Sequence, residues 1–290
     1  LSVGAGPQHA AVLELLADSD VVLAAGTEFA PSDWWLGPPD VADRLIRIDV
    51  DATALTTNVA PVCGIVADAA QALDAILSRL DAPPRTDTAR AATWRQRIRT
   101  ESRAEGEPWS DLLHTIEKAL PSDAIVAADN AMVSYYGALS NLPLHRPRSF
   151  LFPTGAGTLG YGLPAGIGAK LGLPDAPVVV LQGDGGAMFT IAELATAAEL
   201  GIALPIVIVD NGGYGEIRNE MADRGDPIHS VALGHPDFAA LAESLGCHGV
   251  RVANVEDLAA ELTDALAVSR PTLLHVREES RAAQAMARTR

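Results

Sequence analysis

Residues 178–186 read VVVLQGDGG, an apolar run of strand length that ends directly in a glycine-rich turn. A second run with the same layout, LPIVIVDNGG, occupies residues 204–213. Both runs are apolar without alternation, which is typical of parallel strands whose two faces are covered by helices. Between them, apolar residues recur at helical spacing at Ile191, Leu194 and Ala198. Strand, helix and strand in this order predict a parallel-sheet α/β domain.

The same alternation extends on both sides of these two strands. Residues 108–290 are therefore predicted to form one complete domain. Ligands of such domains bind beyond the carboxyl ends of the strands, so the residues that follow each strand are the candidate site residues. The further predicted strands are Ala124–Asp129, Ser149–Phe152, Gly249–Val252 and Thr272–Val276.

Residues 1–82 show the same alternation with only about two strands, DVVLAAG (Asp20–Gly26) and LIRIDVD (Leu45–Asp51). Two strands are too few for a stable doubly wound domain. We therefore predict the C-terminal part of a truncated Rossmann-like middle domain, whose earlier strands are not in this sequence. Residues 83–107 are predicted to be a linker followed by a polar, Arg-rich helix (Thr88–Arg103).

Composition and charge limit the possible partners. The chain has 290 residues, 37 acidic against 21 basic side chains and a net charge of -16. Such a chain repels nucleic acid and anionic membrane surfaces, and no apolar run approaches the roughly 20 residues of a membrane helix. Cys63 and Cys247 form no metal or redox motif. With no secretory signal pattern, they indicate reduced thiols and a cytoplasmic protein.

The two glycine-rich turns predict a shared cation site. Asp184 follows the first strand and Asn211 the next, with 25 residues between the GDG motif and Asn211. One helix, predicted from about Ala187 to Leu200, and one strand fill that interval, so both side chains should lie at neighbouring strand tips. Carboxylate, amide and glycine carbonyl oxygens are ligands that Mg²⁺ uses when phosphates and water complete its shell. The alternative is ordinary turn chemistry, because these residue types are common where strands end.

Together these motifs resemble those of thiamine-diphosphate enzymes, in which GDG, an interval in the middle twenties and a pair of Asn residues bind diphosphate and metal. TGAGTLGYGLPAGIGAK (154–170) resembles the segment that holds the thiazolium ring. HPDFAALAESLG (235–246) is similar to the group of acetolactate synthases and 2-oxo acid decarboxylases. Within that group, GYGEIR (213–218) looks most like 5-guanidino-2-oxopentanoate decarboxylases. Residues 20–75 resemble the back half of the middle domain, and residues 108–279 the diphosphate-binding domain.

The resemblance implies roles for the residues that match its motifs. Asp184, Asn211 and the Gly213 carbonyl would hold Mg²⁺. Leu159 would wedge beneath the cofactor and force its two rings into a V, and the Gly157 carbonyl would accept a hydrogen bond from the pyrimidine amine. These two are the predicted catalytic positions, although Leu159 taken by itself is better explained as an ordinary core leucine. The implied cofactor contacts are Gly157, Leu159, Gly183, Asp184, Gly185, Gly186, Ala187, Asn211, Gly213 and Tyr214.

Acidic residues lie on a predicted helix that follows residues 210–213, the turn with Asn211 and Gly213, called the metal loop below. Glu216 and Glu220, four positions apart, lie on one face of it, and with Ile217 they are the candidate substrate contacts. Two carboxylates would suit a guanidinium tail, which binds carboxylates bidentately. The alternative is a solvated helix whose acids balance Arg218 and Arg224.

Two departures from the family pattern and one omission affect the prediction. Asp210 stands where the family has its first Asn, which adds negative charge near the metal site. Residues 130–133, Asn-Ala-Met-Val, replace the Gln-His pair of acetolactate synthases and weaken that interpretation. Family catalysis also needs a Glu from an N-terminal pyrimidine-binding domain, and Glu193 and Glu199 are interpreted as surface acids. We therefore expect cofactor binding, but no turnover, from this chain alone.

Three functions stay open at this point. The first is thiamine-diphosphate- and Mg²⁺-dependent decarboxylation of a 2-oxo acid, and the second is an acetolactate-synthase-like carboligase. The third is a non-catalytic or two-chain subunit that binds cofactor only. The resemblance implies a homodimer or homotetramer with its site at the subunit interface. FAD in the middle domain is possible but has no support in the sequence. A nicotinamide dehydrogenase is disfavoured because no GxGxxG follows the first strand of either block.

Overall fold

The computed structural model describes residue 6 and residues 8–80 and 87–278. The chain divides into two compact units, residues 1–104 and 105–290. Each unit contains one parallel β-sheet with helices, which confirms the predicted α/β fold class. The second unit begins three residues before the predicted boundary at residue 108. No helix in the described part of the chain is long and apolar enough to cross a bilayer.

The first unit has a three-stranded parallel sheet in the order β1-β2-β3, where β1 is Val22–Ala25, β2 is Leu45–Asp49 and β3 is Cys63–Val66. The first two strands confirm the prediction. The prediction of only about two strands was wrong, because β3 was missed. Three of its four residues are exposed, and Gly64 interrupts its apolar pattern, so the strand carries little periodic signal.

The long helix after the predicted linker belongs to the first unit. The predicted Arg-rich helix is observed and extends to Glu105. Glu101 accepts a hydrogen bond from the backbone N–H of Ala11 at 2.9 Å, and the Ser102 hydroxyl lies 2.8 Å from His9 Nε2. Residues 81–86, where most of the linker was predicted, lie outside the described residues. The helices of this unit are α1 (Ala10–Ala17), α2 (Ala69–Leu77) and α3 (Thr88–Glu105).

The second unit has a six-stranded parallel sheet in the order β5-β4-β6-β7-β9-β8. All six predicted strands are observed, with ends that differ from the prediction by at most one residue. Alternate residues of the central strands pack into opposite cores, Val179 and Val207 on one face and Val180 and Ile206 on the other. This explains why those strands are apolar throughout. The strands are β4 (Ile125–Ala128), β5 (Phe150–Leu151), β6 (Val178–Gly183), β7 (Pro205–Asp210), β8 (His248–Val252) and β9 (Thr272–Arg277).

The helix predicted from about Ala187 to Leu200 is two helices, and the first begins three residues earlier than predicted. The two helices are separated by a turn at residues 191–192, where the Leu194 N–H donates a hydrogen bond to the Ile191 carbonyl, three residues earlier, at 3.1 Å. A six-residue π-helix, Val133–Ala138, was not predicted. The α-helices of this unit are α4 (Ser110–Ala119), α5 (Leu139–Asn141), α6 (Gly162–Gly172), α7 (Asp184–Thr190), α8 (Glu193–Leu200), α9 (Gly215–Arg224), α10 (Phe238–Ser244) and α11 (Leu258–Ala267).

Candidate cofactor and metal site

The two glycine-rich turns lie side by side at the carboxyl edge of the sheet. Strand β6 ends at Gly183, which is paired in register with Val209 of β7. Asp184 therefore begins α7 next to the turn that follows β7. Its Oδ1 accepts a hydrogen bond from the backbone N–H of Asn211 at 3.4 Å. The spacing in the sequence predicts this neighbourhood of Asp184 and Asn211.

Two buried oxygen atoms at this point have no hydrogen-bond partner, Oδ2 of Asp184 and Oδ1 of Asn211. Buried polar atoms in proteins normally have one. Asp184 is only 1% exposed, and its pKa is raised, first by burial and then by the negative charge of Asp210. A divalent cation would offset both effects and would satisfy both oxygens, so these residues fit Mg²⁺. Among the described residues, no group of three or more His, Cys, Asp and Glu side chains is placed to hold a metal. A cation at this site would therefore be bound by one carboxylate, that of Asp184, together with amide and backbone carbonyl oxygens.

The third predicted ligand, the carbonyl of Gly213, lies in a tightly fixed loop. Gly213 has a φ of 134°, and a Cβ added there would lie 2.2 Å from the Val231 carbonyl, so only glycine fits. Tyr214 N–H donates to that same carbonyl at 2.9 Å, and Leu233 N–H donates to the Gly212 carbonyl at 2.9 Å. These bonds fix the backbone of the loop at the position where the Gly213 carbonyl would act.

Tyr214 and the start of α7 pack closely at this site. A Cβ added at Gly185 would lie 2.9 Å from the Tyr214 ring and 3.3 Å from the Gly213 carbonyl, so the glycine allows the two turns to approach. Gly183 to Ala187, all predicted cofactor contacts, form the end of β6 and the first turn of α7. An open cavity of about 420 Å³ lies beside them, lined by Met188, Tyr214, Leu233, Gly234, His235 and Pro236.

Asp210, the departure from the family pattern, has its own partners. The side chain is fully buried. It lies 3.0 Å from His275 Nε2 and 3.0 Å from His235 Nδ1, and it accepts from Gly212 N–H at 3.0 Å. Burial alone would raise the pKa of Asp210, but the hydrogen bonds from His275 and then His235 outweigh it and lower the pKa to about 2. The expected added negative charge is thus held by two histidines, whose involvement was not predicted.

Asp129 is a site residue that sequence reasoning missed. Its buried carboxylate accepts hydrogen bonds from the backbone N–H groups of Asn130 at 2.7 Å and Gly160 at 3.0 Å. A Cβ added at Gly186 would lie 2.9 Å from Asp129 Oδ2, so the carboxylate also contacts the first turn of α7. Burial raises the pKa of Asp129, and the hydrogen bonds that its carboxylate accepts from backbone N–H groups, first that of Asn130, partly offset this increase. Its place at the end of a predicted strand was the signal that could have identified it.

Gly157 and Leu159 lie in the loop that Asp129 holds. The Gly157 carbonyl accepts a hydrogen bond from Asn130 Nδ2 at 2.9 Å. A carbonyl oxygen has a second lone pair, so this bond is compatible with an additional donor from a ligand. Leu159 is half-buried. Asn130, one of the residues that replaces the Gln-His pair, therefore holds this loop at Gly157, while Asp129 holds it at Gly160.

Glu216 and Glu220, the two acids of the candidate substrate helix, have different surroundings in the structure. Glu216 is half-buried and accepts a hydrogen bond from the Tyr136 hydroxyl at 2.6 Å. Glu220 is exposed and lies 3.5 Å from Arg224, a contact of the kind that contributes little at a surface. Ile217 is 46% exposed. The solvated-helix alternative thus describes Glu220, while Glu216 contacts the π-helix.

Comparison with known proteins agrees with this geometry. Residues 1–76 match the family model described as "Thiamine pyrophosphate enzyme, central domain". Residues 132–276 match "Thiamine pyrophosphate enzyme, C-terminal TPP binding domain". The chain belongs to the thiamine pyrophosphate enzyme family. This confirms the predicted family and implies thiamine diphosphate as the cofactor, whereas FAD has no support.

Relatives of this thiamine pyrophosphate enzyme include decarboxylases and carboligases. "Probable 2-ketoarginine decarboxylase AruI" of Pseudomonas aeruginosa is 39% identical over 282 residues, which are 96% of this chain and 50% of that protein. An acetolactate synthase large subunit of Haemophilus influenzae is 29% identical over 78% of this chain and 41% of its own length. The solved thiamine diphosphate-dependent 4-hydroxybenzoylformate decarboxylase of Rhodococcus jostii superposes with a TM-score of 0.70 and 27% identity. It covers 93% of this chain and 50% of that one.

The chain thus spans about half the length of the curated relatives it matches. The matched regions are a central and a C-terminal domain.

Proposed function

We propose that this chain provides the diphosphate- and metal-binding part of a Mg²⁺-dependent decarboxylase for a 2-oxo acid with a guanidino tail. The observation that carries the proposal is the pair of unpartnered buried oxygens on Asp184 and Asn211. The 39% identity to a protein named as a probable 2-ketoarginine decarboxylase supports the substrate class. The half-buried carboxylate of Glu216, on the helix after the metal loop, supplies a group that could bind a cation.

Each part of the site has a task in this proposal. Asp184, Asn211 and the Gly213 carbonyl would hold Mg²⁺, and the backbone N–H groups at the start of α7 would bind the diphosphate. Leu159 would support the cofactor, and the Gly157 carbonyl would accept a hydrogen bond from the cofactor's amine. Bound thiamine diphosphate supplies the electron sink for loss of CO₂. The described residues of this chain would bind and orient the cofactor.

Calorimetric titration of thiamine diphosphate into the 290-residue chain tests the binding part. We expect binding with Mg²⁺ and at least 10-fold weaker binding with excess EDTA. Asp184→Asn and Asn211→Ala should each abolish the response to Mg²⁺, while Asp175→Asn, an exposed acid before β6, should not. Equal affinity with and without Mg²⁺ would contradict the metal site.

Turnover is tested with protein expressed from the complete open reading frame. With 5-guanidino-2-oxopentanoate we expect one CO₂ and one aldehyde, 4-guanidinobutanal, per substrate consumed. Glu216→Gln should lower kcat/KM for this substrate far more than for pyruvate. Equal losses for both substrates would remove the argument for a cationic tail.

The alternative is an acetolactate-synthase-like carboligase, which the acetolactate synthase relatives favour. Pyruvate as sole substrate separates the two, because a carboligase yields acetolactate and a decarboxylase yields acetaldehyde. The replacement of the Gln-His pair at residues 130–133 and the acid at position 216 favour decarboxylation.

Assembly and location are part of the same proposal. A homodimer or homotetramer with the site at the subunit interface is expected, and sedimentation of the complete protein tests it. A cytoplasmic location also stays a prediction.

If the 290-residue chain binds cofactor but releases no CO₂, and adding a separate pyrimidine-binding chain restores release, the two-chain subunit is the correct interpretation.

A further inference from the structure

The π-helix of the second unit begins at the proposed cation site. Met132, the residue before it, has its sulfur 3.9 Å from Asn211 Nδ2. A Cβ added at Gly215, the first residue of α9, would lie 2.8 Å from the same sulfur. The π-helix and α9 therefore start side by side at the metal loop. Single π-turns inside helical segments are rare and occur frequently at functional sites.

One turn along the π-helix, Tyr136 forms a short hydrogen bond to Glu216, the second residue of α9. The Tyr136 hydroxyl donates to Glu216 Oε1 at 2.6 Å, a distance typical of a strong bond to an ionised carboxylate. The pKa of Tyr136 is raised, first by burial and then by this bond, so the phenol stays a donor at neutral pH. The pKa of Tyr135 is raised as well, by burial and then by the Glu216 charge.

The Tyr136 ring is held in place by its neighbours. It stacks on Trp109 with ring centroids 6.2 Å apart and an angle of 10° between the planes. The Tyr135 ring packs against it in an edge-to-face arrangement, with ring centroids 4.7 Å apart. Trp109 is itself buried, and its indole N–H donates to Glu278 at 2.9 Å. The hydroxyl that holds Glu216 is therefore attached to a rigid aromatic group.

We propose that Tyr136 is a positioning residue that determines substrate specificity. Its hydroxyl fixes the carboxylate of Glu216, which would bind the guanidinium tail of the 2-oxo acid, an inference that rests on the proposed function. A carboxylate fixed before binding loses little side-chain entropy when the substrate arrives. An uncharged tail would leave this half-buried carboxylate without a cationic partner, and sites of that kind discriminate strongly.

The test uses Tyr136→Phe in protein expressed from the complete open reading frame. We expect the ratio of kcat/KM for 5-guanidino-2-oxopentanoate to that for uncharged 2-oxohexanoate to fall about 10-fold, the size expected for a hydrogen bond to a charged group. The loss should lie in KM, with kcat unchanged. A second readout is independent of turnover: the Kd of 5-guanidinopentanoate, which lacks the reactive ketone, should rise by a similar factor in calorimetry.

Matched variants separate positioning from a structural role. Glu216→Gln should lower the ratio about 100-fold, and Tyr136→Phe in that background should lower it no further, because the two residues act through one interaction. Asp223→Asn removes an exposed acid from the same helix and should leave the ratio unchanged.

The outcomes are distinguishable. Equal losses for both substrates in Tyr136→Phe overturn the positioning role. If Glu216→Gln discriminates and Tyr136→Phe does not, the inference is wrong while the proposed function stands. If the parent protein shows no preference for the guanidino substrate and Glu216→Gln changes nothing, the proposed substrate class fails, and the inference with it.

Discussion

Replacing Asp184 by Asn should stabilise the metal-free protein and abolish its stabilisation by ligand. Asp184 is buried, one of its oxygens has no partner, and Asp210 is close enough to repel it. The pKa rises from its ordinary value to about 6, which corresponds to about 3 kcal/mol against the ionised form. The introduced amide carries no charge and adds a donor beside the unpartnered Asn211 oxygen. We expect a gain of about 2 kcal/mol.

Thermal unfolding at pH 7.5 measures this change in two conditions. With excess EDTA, Asp184→Asn should melt roughly 4–8 °C above the parent, since about 1 kcal/mol shifts Tm by 2–4 °C in a domain of this size. With Mg²⁺ and thiamine diphosphate at about 100 times their Kd, the parent gains about 2.7 kcal/mol and the variant gains nothing. The order of the two melting temperatures should therefore reverse.

The control is Asp175→Asn, which removes an exposed acid and should match the parent in both conditions. The reasoning is refuted if Asp184→Asn is less stable than the parent in EDTA and still responds to Mg²⁺ as the parent does. That result would mean that Asp184 makes favourable interactions within the apo fold and does not hold the cation.

Two further predictions concern packing and thiol chemistry. Gly186→Ala should lower the free energy of unfolding by about 1–3 kcal/mol and weaken cofactor binding, because its Cβ would lie 2.9 Å from Asp129 Oδ2. Urea unfolding measures the loss of stability. The control is Gly168→Ala, whose Cβ would have no neighbour among the described residues within 4 Å, apart from its own helix, and should not lower the stability. Ellman's reagent at pH 8 should modify one thiol of the native chain, the exposed Cys63, and two after denaturation. Burial raises the pKa of Cys247 to about 11, and two fast-reacting native thiols would contradict its buried placement.

The central sheet of the second unit was predictable because burial acts on every residue of its strands. β6 and β7 are buried almost throughout, so their sequences are apolar without interruption. β3 was missed for the opposite reason, since three of its four residues face solvent. The break between α7 and α8 also had no local signal. Thr190, at the end of α7, donates its hydroxyl to the Gly160 carbonyl 30 residues away, at 3.0 Å.

The site was predictable where its parts are close in sequence or end adjacent strands. Asp184 and Asn211 satisfy that condition, and their neighbourhood follows from one helix and one strand between them. The partners of Asp210 do not, because His235 and His275 are 25 and 65 positions away along the chain. His275 lies on the neighbouring strand β9 and His235 in the loop before α10. Which strand lies next to β7, and which loop folds back onto its end, depend on long-range packing that neither periodicity nor spacing predicts.

Two carboxylates at neighbouring strand tips of an acidic chain would be unfavourable if both lacked partners. The fold treats them differently. Asp210 is held by two histidines and a backbone N–H, and its pKa is low. Asp184 keeps a buried oxygen without a partner, and its pKa is raised. An Asp at position 210 is compatible with a neighbouring metal site because His235 and His275 occupy its oxygens, so only Asp184 offers a carboxylate to the cation. Removing the two histidines should therefore disturb the metal site even though neither would touch the metal.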